Sequence, residues 1–411
     1  MDLHNIKKDI IIMGIREKKY LWLVLILFVF WLQIQMSDAQ VQINNQVNVN
    51  LEKIDWERIL KAANIYINFN PVTITAFRSK RSTGGQHDYF SEGDYWWPNP
   101  KDPNGPYVRR DGISNPNNFD KHRIALRNMS IEVAALTAAY KITREEKYAD
   151  AVLKHLIAWF VNANTKMNPN LEHAQAIKGV ATGRGIGIID TIHLVEVAQA
   201  VVVLEKTGYL DKKDAEAIKD WFAKYLNWLT TSKFGKDEMN NGNNHSTCWC
   251  MQVAEYAKLV GDTSELNFCR NFYKNVLLPK QMAYDGSFPK ELARTKPYCY
   301  SIFNMDMMTM VCEILSDKNN DLWHYTTNDG KNIGLGMKFL YPYLTDKSKW
   351  PYLKDIMYFD VWPVRQISLL LCGIHLNESK YIKLWKRLNP DPKEEEAIRN
   401  FPIRQPVLWM N

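Results

Sequence analysis

The feature that most constrains the fold is a helix pair that recurs along the chain. Apolar helical segments are each followed by a short polar turn and an amphipathic segment, and their marker residues are Tyr140, Leu204, Leu259, Ile314 and Leu371. The steps between these markers are 64, 55, 55 and 57 residues. Such a repeat, with few strand signals, predicts stacked helical hairpins. We therefore expect an all-α fold, an (α/α)n toroid or incomplete barrel with its cleft at the end where the loops gather.

The length and composition of the chain suit one large domain. Of its 411 residues, 46% are hydrophobic and 24% charged, so a sizeable core can form. We predict a single toroid domain over residues 40–411. Within it, residues 40–53 are expected to be a poorly ordered leader, residues 55–69 a first helix, and the tail from Asn389 a segment along the outside.

Residues 78–119 lack helical periodicity and are rich in glycine, proline, aspartate and asparagine. A loop of this length is usually functional or disordered, and its many aromatic residues argue against disorder. We predict a long lid-like loop whose Trp96 and Trp97 either stack on sugar rings or anchor the loop to the barrel. Arg81, Arg109 and Arg110 of the same loop are candidate contacts for carboxylates.

The first 39 residues have the organisation of a secretory signal. Basic residues precede an apolar run from Tyr20 to Ile34, and small residues follow up to Ala39. A run of about 15 apolar residues is short for a membrane span of about 20, so cleavage is expected over retention as an anchor. The sequence predicts a periplasmic or secreted protein without stable membrane association after cleavage.

The formal net charge of +7 is compatible with a polyanionic partner, and also with an ordinary solvated surface. Nucleic acid is not expected as a partner, because the chain carries no nucleic-acid-binding motif. An anionic polysaccharide agrees better with the candidate catalytic residues below.

An asparagine-rich stretch carries the first candidate catalytic residues. Residues 240–249 read NNGNNHSTCW, and the glycine and asparagines favour a turn. Ser246 or Thr247 is expected to cap the helix that follows. The amide of Asn244 and the imidazole of His245 would then lie side by side at a helix start.

A second polar cluster contains Arg294 and Tyr300 and precedes an apolar helix predicted to begin near Phe303. An amide, an imidazole, a guanidinium and a phenol together suit β-elimination of a uronic-acid polysaccharide. Asn244 and His245 can stabilise the enolate that forms when C5 loses its proton. Tyr300, with its pKa lowered by Arg294, can take that proton and protonate the departing C4 oxygen.

These residues resemble those of the alginate-lyase-like polysaccharide lyases, a family of α/α-toroid enzymes. The family's Asn-Asn-His-Ser motif falls on residues 243–246, and its arginine and catalytic tyrosine fall on Arg294 and Tyr300. Residues 94–100, which read DYWWPNP, also resemble the family. The similarity extends from about residue 56 to residue 376. The resemblance implies a catalytic group made of Asn244, His245, Arg294 and Tyr300.

The sugar is predicted from stereochemistry. Mannuronate and glucuronate differ only at C2 and place the C5 proton and the C4 oxygen on one side of the ring, so one tyrosine can serve both. Guluronate is inverted at C5 and would need a second base such as His245. We expect β-1,4-linked mannuronan or glucuronan to be the substrate and polyguluronate to be a poor substrate. Thr247 and Cys248 stand where alginate lyases have an aromatic residue after the serine. Because of this departure, glucuronan remains the second candidate substrate after alginate.

Three more residues are candidate substrate contacts. Asn243 adjoins the catalytic amide, and Arg365 follows Trp362 and Pro363. Arg184 lies in the glycine-rich segment 183–187, whose spacing does not match a dinucleotide fingerprint. These glycines are expected to bring the chain close to the substrate, and the resemblance implies that Arg184 faces the cleft.

Two other function classes stay open. The same toroid hosts inverting glycoside hydrolases that use two carboxylates, and Asp285, Glu291 and Asp306 lie in the right region. A non-catalytic polysaccharide-binding protein would instead use the loop of Trp96 and Trp97.

No metal and no cofactor are predicted. The six cysteines are scattered among apolar neighbours and are expected to be buried thiols. Cys248 and Cys250 lie near His245, but on a helix they would point about 200° apart.

Overall fold

The structure, a computed structural model, describes residues 47–410. The predicted signal sequence and much of the predicted leader lie outside them. Contacts join Val49–Asn411 into one compact unit. The helices are α1 (Leu51–Tyr66), α2 (Lys121–Thr143), α3 (Glu146–Leu156), α4 (Leu194–Lys206), α5 (Lys212–Thr231), α6 (Lys233–Met239), α7 (Asn244–Val260), α8 (Thr263–Phe272), α9 (Leu278–Gln281), α10 (Pro289–Leu292), α11 (Pro297–Leu315), α12 (Ile333–Thr345), α13 (Ile367–His375), α14 (Ser379–Arg387) and α15 (Glu395–Arg399).

An inner layer is formed by α2, α4, α7, α11 and α13. Their side chains are mostly buried, and each of these helices packs against the next in that order. All five marker residues of the sequence repeat lie in them. The second members of the pairs, α3, α8, α12 and α14, pack on the helix that precedes them, and α5 packs on α7. The predicted all-α toroid of helical hairpins is thereby confirmed.

Helix α1 begins four residues earlier than predicted. The side chain of Asn50 accepts a hydrogen bond from the backbone nitrogen of Lys53 at 2.8 Å, which caps the helix at Leu51. The helix ends at Tyr66, so the end of the predicted leader is helical and residues 67–69 are not.

The long loop predicted over residues 78–119 contains short strands and no helix. Strand β1 (Phe90–Glu92) pairs in parallel with β4 (His173–Ala176). Strands β2 (Trp96–Trp97) and β3 (Val108–Arg109) pair in antiparallel fashion. These ladders hold the loop to itself and to the segment before the glycine-rich turn.

The glycines of segment 183–187 approach the protein's own chain closely, and the expectation that they bring the chain close to the substrate stays a prediction. A Cβ atom at Gly183 would lie 1.9 Å from the carbonyl oxygen of Glu172, and one at Gly185 would lie 2.8 Å from that of Phe234. The absence of side chains lets the 3-10 turn Gly185–Thr191 pack closely against β4 and α6.

The end of the C-terminal tail is part of the core, contrary to the prediction that the tail packs along the outside, whereas residues 393–395 are exposed as predicted. Residues 401–408 are buried. One carboxylate oxygen of Glu196 in α4 accepts hydrogen bonds from the backbone nitrogens of Arg404 and Gln405, at 2.9 and 2.7 Å. A buried polar side chain thus satisfies the backbone of an irregular segment, which helical periodicity does not reveal.

By length and composition, no single helix within residues 47–410 could cross a membrane. One pair, the turn Gly185–Thr191 and α4, meets the same criteria together, with a bend of 47°, and α4 is mostly buried in the core.

Candidate active site

A cavity of about 380 Å³ brings together segments that are far apart in the sequence. It is formed by the long loop, the turn before α4, the starts of α7 and α11, and the C-terminal tail. Seven of the nine predicted site residues line it, and these are Trp96, Arg184, Asn243, Asn244, His245, Arg294 and Tyr300.

Asn243 caps the N-terminus of α7. The prediction that Ser246 or Thr247 forms this cap is therefore wrong. Its Oδ1 accepts a hydrogen bond from the backbone nitrogen of His245 at 3.0 Å. Ser246 lies inside the helix, where its Oγ accepts from the backbone nitrogen of Gly242 at 2.6 Å. The cap leaves Asn244 and His245 at the first two positions of the helix.

Two buried glutamates hold these catalytic candidates. Glu291 accepts hydrogen bonds from the backbone nitrogen and the Nδ2 of Asn244, at 2.7 and 2.6 Å. Oε1 of Glu238 lies 2.7 Å from Nδ1 of His245, which leaves Nε2 of the imidazole for a ligand. Burial raises the pKa of both carboxyl groups.

Tyr300 lies in the first turn of α11, which begins at Pro297 and thus earlier than predicted. The guanidinium of Arg294 lies 4.7 Å from the centre of the Tyr300 ring and pairs with Asp111 at 3.1 Å. Burial and the neighbouring Tyr95 hold the pKa of Tyr300 well above its usual range, although Arg294 lowers it. The expected lowering below the usual value is therefore wrong, because desolvation outweighs the single cation.

Sequence reasoning missed the groups behind Tyr300. The Oη atoms of Tyr95 and Tyr300 lie 2.6 Å apart, and Nζ of Lys296 lies 3.5 Å from Oη of Tyr95. Lys296 also pairs with Glu396 of α15 at 2.7 Å. Tyr95 could have been found from the sequence, because it belongs to the DYWWPNP run that resembles the family. Nothing in the sequence connects Lys296 to Glu396.

The cavity lining is strongly cationic. Six arginines line it and only two carboxylates, Asp94 and Asp190. Arg123 and Arg399 contact Asp94 at 2.6 and 2.7 Å, and against the effect of burial they lower the pKa of Asp94 to about 2. Because both carboxylates are neutralised by arginine, the remaining positive charge suits an anionic ligand.

Arg184 and Trp96 lie together in this lining. The guanidinium of Arg184 is 5.8 Å from the centre of the Trp96 ring, and its Nε donates to the carbonyl oxygen of Gln175 at 2.8 Å. Burial lowers the pKa of Arg184 to about 10, so the group is a cation at neutral pH and is positioned for a ligand anion.

Two predicted contacts lie elsewhere. Trp97 is not among the lining residues; its Nε1 donates to the carbonyl oxygen of Ile113 at 2.9 Å, which joins two parts of the long loop. Arg365 pairs with Asp55 of α1 at 2.6 Å and stacks 4.4 Å from the centre of the Trp385 ring. Arg365 therefore joins two helical segments away from the cavity, and its assignment as a substrate contact is corrected.

The carboxylates considered for a hydrolase do not line the cavity. Glu291 is bound to Asn244, Asp306 accepts from the backbone nitrogen of Ser368 at 3.0 Å, and Asp285 lies in an exposed turn. An inverting hydrolase needs one carboxyl group as acid and one as base, so this arrangement does not favour it.

Thr247 and Cys248, where the chain departs from the alginate lyase pattern, are buried outside the cavity lining. All six cysteines are free and buried, as predicted. Within residues 47–410, no group of three or more histidine, cysteine, aspartate or glutamate side chains is arranged to hold a metal ion.

An α/α toroid whose cationic cavity is lined by asparagine, histidine, arginine and tyrosine has the architecture of a polysaccharide lyase, and the chain is an enzyme of this class. Its sequence matches the alginate lyase family over residues 73–350. The protein belongs to this family.

Solved structures agree with this assignment. An alginate lyase from Bacteroides ovatus is 30% identical, with a TM-score of 0.74 over 85% of this chain and 93% of that one. Alginate lyase A1-III from a Sphingomonas species is 16% identical, with a TM-score of 0.54 over 86% and 94% of the two chains, and thus shares the fold. No curated protein matches the sequence.

Proposed function

We propose that the protein cleaves a β-1,4-linked uronic-acid polysaccharide by β-elimination, with mannuronate-rich alginate as the first candidate and glucuronan as the second. The observation that carries this proposal is the placement of Asn244, His245, Arg294 and Tyr300 around one cationic cavity. The relative from Bacteroides ovatus, described as an alginate lyase, supports alginate over glucuronan.

In the proposed reaction, Asn244 and His245 bind the carboxylate at C5 of the sugar. The proton on C5 becomes acidic only when the negative charge of the developing enolate is stabilised. Nδ2 of Asn244 has a second hydrogen besides the one given to Glu291, and Nε2 of His245 is free of Glu238. Asn244 can therefore donate to the carboxylate without losing the contact that orients it, and His245 can do the same when both of its ring nitrogens carry a proton.

Tyr300 serves as base and then as acid on one side of the ring. As a phenolate it takes the C5 proton, and it returns that proton to the C4 oxygen as the glycosidic bond breaks. The products are an unsaturated uronate end and a free C4 hydroxyl. Arg294, 4.7 Å from the ring, stabilises the phenolate.

The same-side geometry sets the preference among sugars. Mannuronan and glucuronan present the C5 proton and the C4 oxygen to the same tyrosine, whereas guluronate presents the proton on the opposite face. We therefore propose polyguluronate as a poor substrate. The choice between mannuronate and glucuronate depends on contacts to the C2 hydroxyl, for which we propose Trp96 and Arg184 of the lining.

We also propose that the chain is exported, with residues 1–39 acting as a signal that is removed, so that the enzyme meets its polymer in the periplasm or outside the cell.

A direct experiment measures initial rates on polymannuronate, polyguluronate and glucuronan by the near-ultraviolet absorbance of the unsaturated product. We expect absorbance to rise with one or both of the first and third polymers and to stay low with polyguluronate. A clear preference for polyguluronate would contradict the same-side mechanism. Release of reducing ends without absorbance would contradict elimination itself.

A further inference from the structure

The proposed reaction does not use Lys296, although its side chain is fully buried beside the catalytic tyrosine. Nζ of Lys296 is 2.7 Å from Oε1 of Glu396 and 3.5 Å from Oη of Tyr95. Burying an ion pair costs desolvation energy that its Coulomb attraction often does not recover, so such a pair is weak evidence of a purely stabilising role. Its contact with Tyr95 suggests a different one.

Donor chemistry gives the hydrogen-bonded chain a direction. An ammonium group has three hydrogens and no acceptor, so Lys296 donates to Oη of Tyr95. The hydrogen of Tyr95 is then available for Oη of Tyr300, which lies 2.6 Å away. Tyr300 is the acceptor at the end of the chain, and successive hydrogen bonds of one direction polarise one another.

We propose that Lys296 is a positioning residue that acts through Tyr95 to stabilise the phenolate form of Tyr300. This inference rests on the proposed function, in which Tyr300 must be a phenolate before it takes the C5 proton. The phenol first loses its proton to solvent. In each turnover the phenolate takes a proton from C5 and gives it to the C4 oxygen, so the phenolate is regenerated. The hydrogen bonds from Lys296 through Tyr95 stabilise this phenolate between turnovers.

The surrounding charges leave Lys296 free to act in this way. On α15, Glu396 is also neutralised by Arg399 at 3.1 Å, and on the long loop Asp94 is held by Arg123 and Arg399. Asp355 accepts hydrogen bonds from the backbone nitrogens of Tyr298 and Cys299, at 2.8 and 3.0 Å.

The remaining neighbours are uncharged or face Tyr300 from its other side. The ring of Tyr358 lies 5.1 Å from Nζ of Lys296, and burial raises the pKa of the Cys299 thiol well above its usual value, which keeps it neutral. Arg294 and Asp111 form their pair on the Tyr300 side. Each nearby carboxylate therefore has another partner.

A double-mutant cycle separates this role from a structural one. Lys296→Gln removes the cation, and Tyr95→Phe breaks the chain while it leaves the Lys296–Glu396 pair intact. For each single variant we expect kcat to fall about tenfold or more, as for loss of a hydrogen bond to a charged group. The double variant should be little worse than Tyr95→Phe, because both changes interrupt one chain. Additive losses would overturn the proposal.

The pH profile supplies a second readout. Without the ammonium the phenolate is less stable, so the rising limb of kcat/KM should move to higher pH in Lys296→Gln, and Lys296→Arg should restore part of the shift. Lys331→Gln is the matched control, since Lys331 is also buried, lies 4.9 Å from the Tyr284 ring and pairs with Asp329 away from the cavity. An unchanged limb in Lys296→Gln would overturn the proposal.

A paired variant covers a possible folding failure, and one measurement does not depend on turnover. If Lys296→Gln does not fold, as judged by thermal unfolding, the paired change Lys296→Met with Glu396→Gln removes both buried charges together. Incorporated fluorotyrosine has a more acidic phenol, and fluorine NMR with Tyr300→Phe as assignment control then follows the ionisation of Tyr300 without substrate. We expect this ionisation to require higher pH in the lysine variant, and an identical titration would refute the role of Lys296. A wild-type enzyme that titrates in this way but forms no unsaturated product would refute only the proposed function.

Discussion

The phenol oxygens of Tyr95 and Tyr300 are 2.6 Å apart, although 205 positions separate the two residues in the sequence. The contact joins the long aromatic loop to the first turn of α11 and places a second phenol directly behind the proposed base and acid. Burial keeps Tyr300 neutral in the absence of ligand, so its ability to act depends on what the neighbouring groups do for its phenolate.

Tyr300→Phe should lower kcat by several orders of magnitude, because it removes the only atom proposed to transfer the proton. KM should change little, since the ring and its contact with Arg294 remain. Tyr273→Phe, a change to a buried tyrosine outside the cavity lining, is the matched control. Steady-state rates on polymannuronate test this, and near-normal turnover of Tyr300→Phe would remove Tyr300 from its role.

Asn244→Ala and His245→Ala should each reduce kcat by about 10²-fold or more, because each removes a donor to the developing enolate. Glu291→Gln should show a milder loss of the same kind. One of its two oxygens becomes an NH₂ group and faces a donor of Asn244, which disturbs the amide without removing it. If Glu291→Gln retained full kcat, the orientation of Asn244 by Glu291 would have no catalytic importance.

Arg184→Ala should affect substrate binding, whereas Arg365→Ala should affect stability. Arg184 lines the cavity, so its loss should raise KM for the polymer and have little effect on stability. Arg365 pairs with the buried Asp55, which Arg58 also contacts at 3.0 Å, so its loss should lower the free energy of unfolding by about 2 kcal/mol and leave KM unchanged. Denaturant unfolding and kinetics on the same preparations distinguish the two, and a raised KM in Arg365→Ala would reinstate it as a substrate contact.

Asp94 should make the stability of the protein depend on pH below about 4. Its folded pKa of about 2 lies below the unfolded value of ~3.9, so the carboxylate stabilises the fold above the unfolded value. That contribution, about 2 kcal/mol, is lost as the pH falls towards 2. Asp94→Asn should therefore be less stable than the wild type at neutral pH, and the difference should shrink in acid. Asp237→Asn, at an exposed ion pair, serves as control, and a constant difference would contradict the assignment.

Export can be tested by mass analysis of the protein recovered from the soluble and membrane fractions of cells that express the full chain. Because a basic, apolar and small-residue sequence precedes Gln40, we expect a mature chain that begins near that residue. Recovery of a membrane-bound form that retains residues 20–34 would show an anchor instead.

The sequence by itself determined the helical hairpins and predicted the members of the proposed catalytic group. Helix periodicity is local, so the markers Tyr140 and Leu259 could be assigned to helices without knowledge of their neighbours. The NNHS motif and Tyr300 could also be recognised locally, since each lies within a few residues of a helix start.

Only the tertiary structure decided which charges and phenols surround Tyr300. The pKa of this residue follows from desolvation by the whole fold, which outweighs the lowering by Arg294. The contacts Lys296–Glu396 and Arg365–Asp55 join positions 100 and 310 residues apart. Charged side chains carry no local periodicity that identifies their partners, so folding alone placed Lys296 next to Tyr95 and Arg365 away from the cavity.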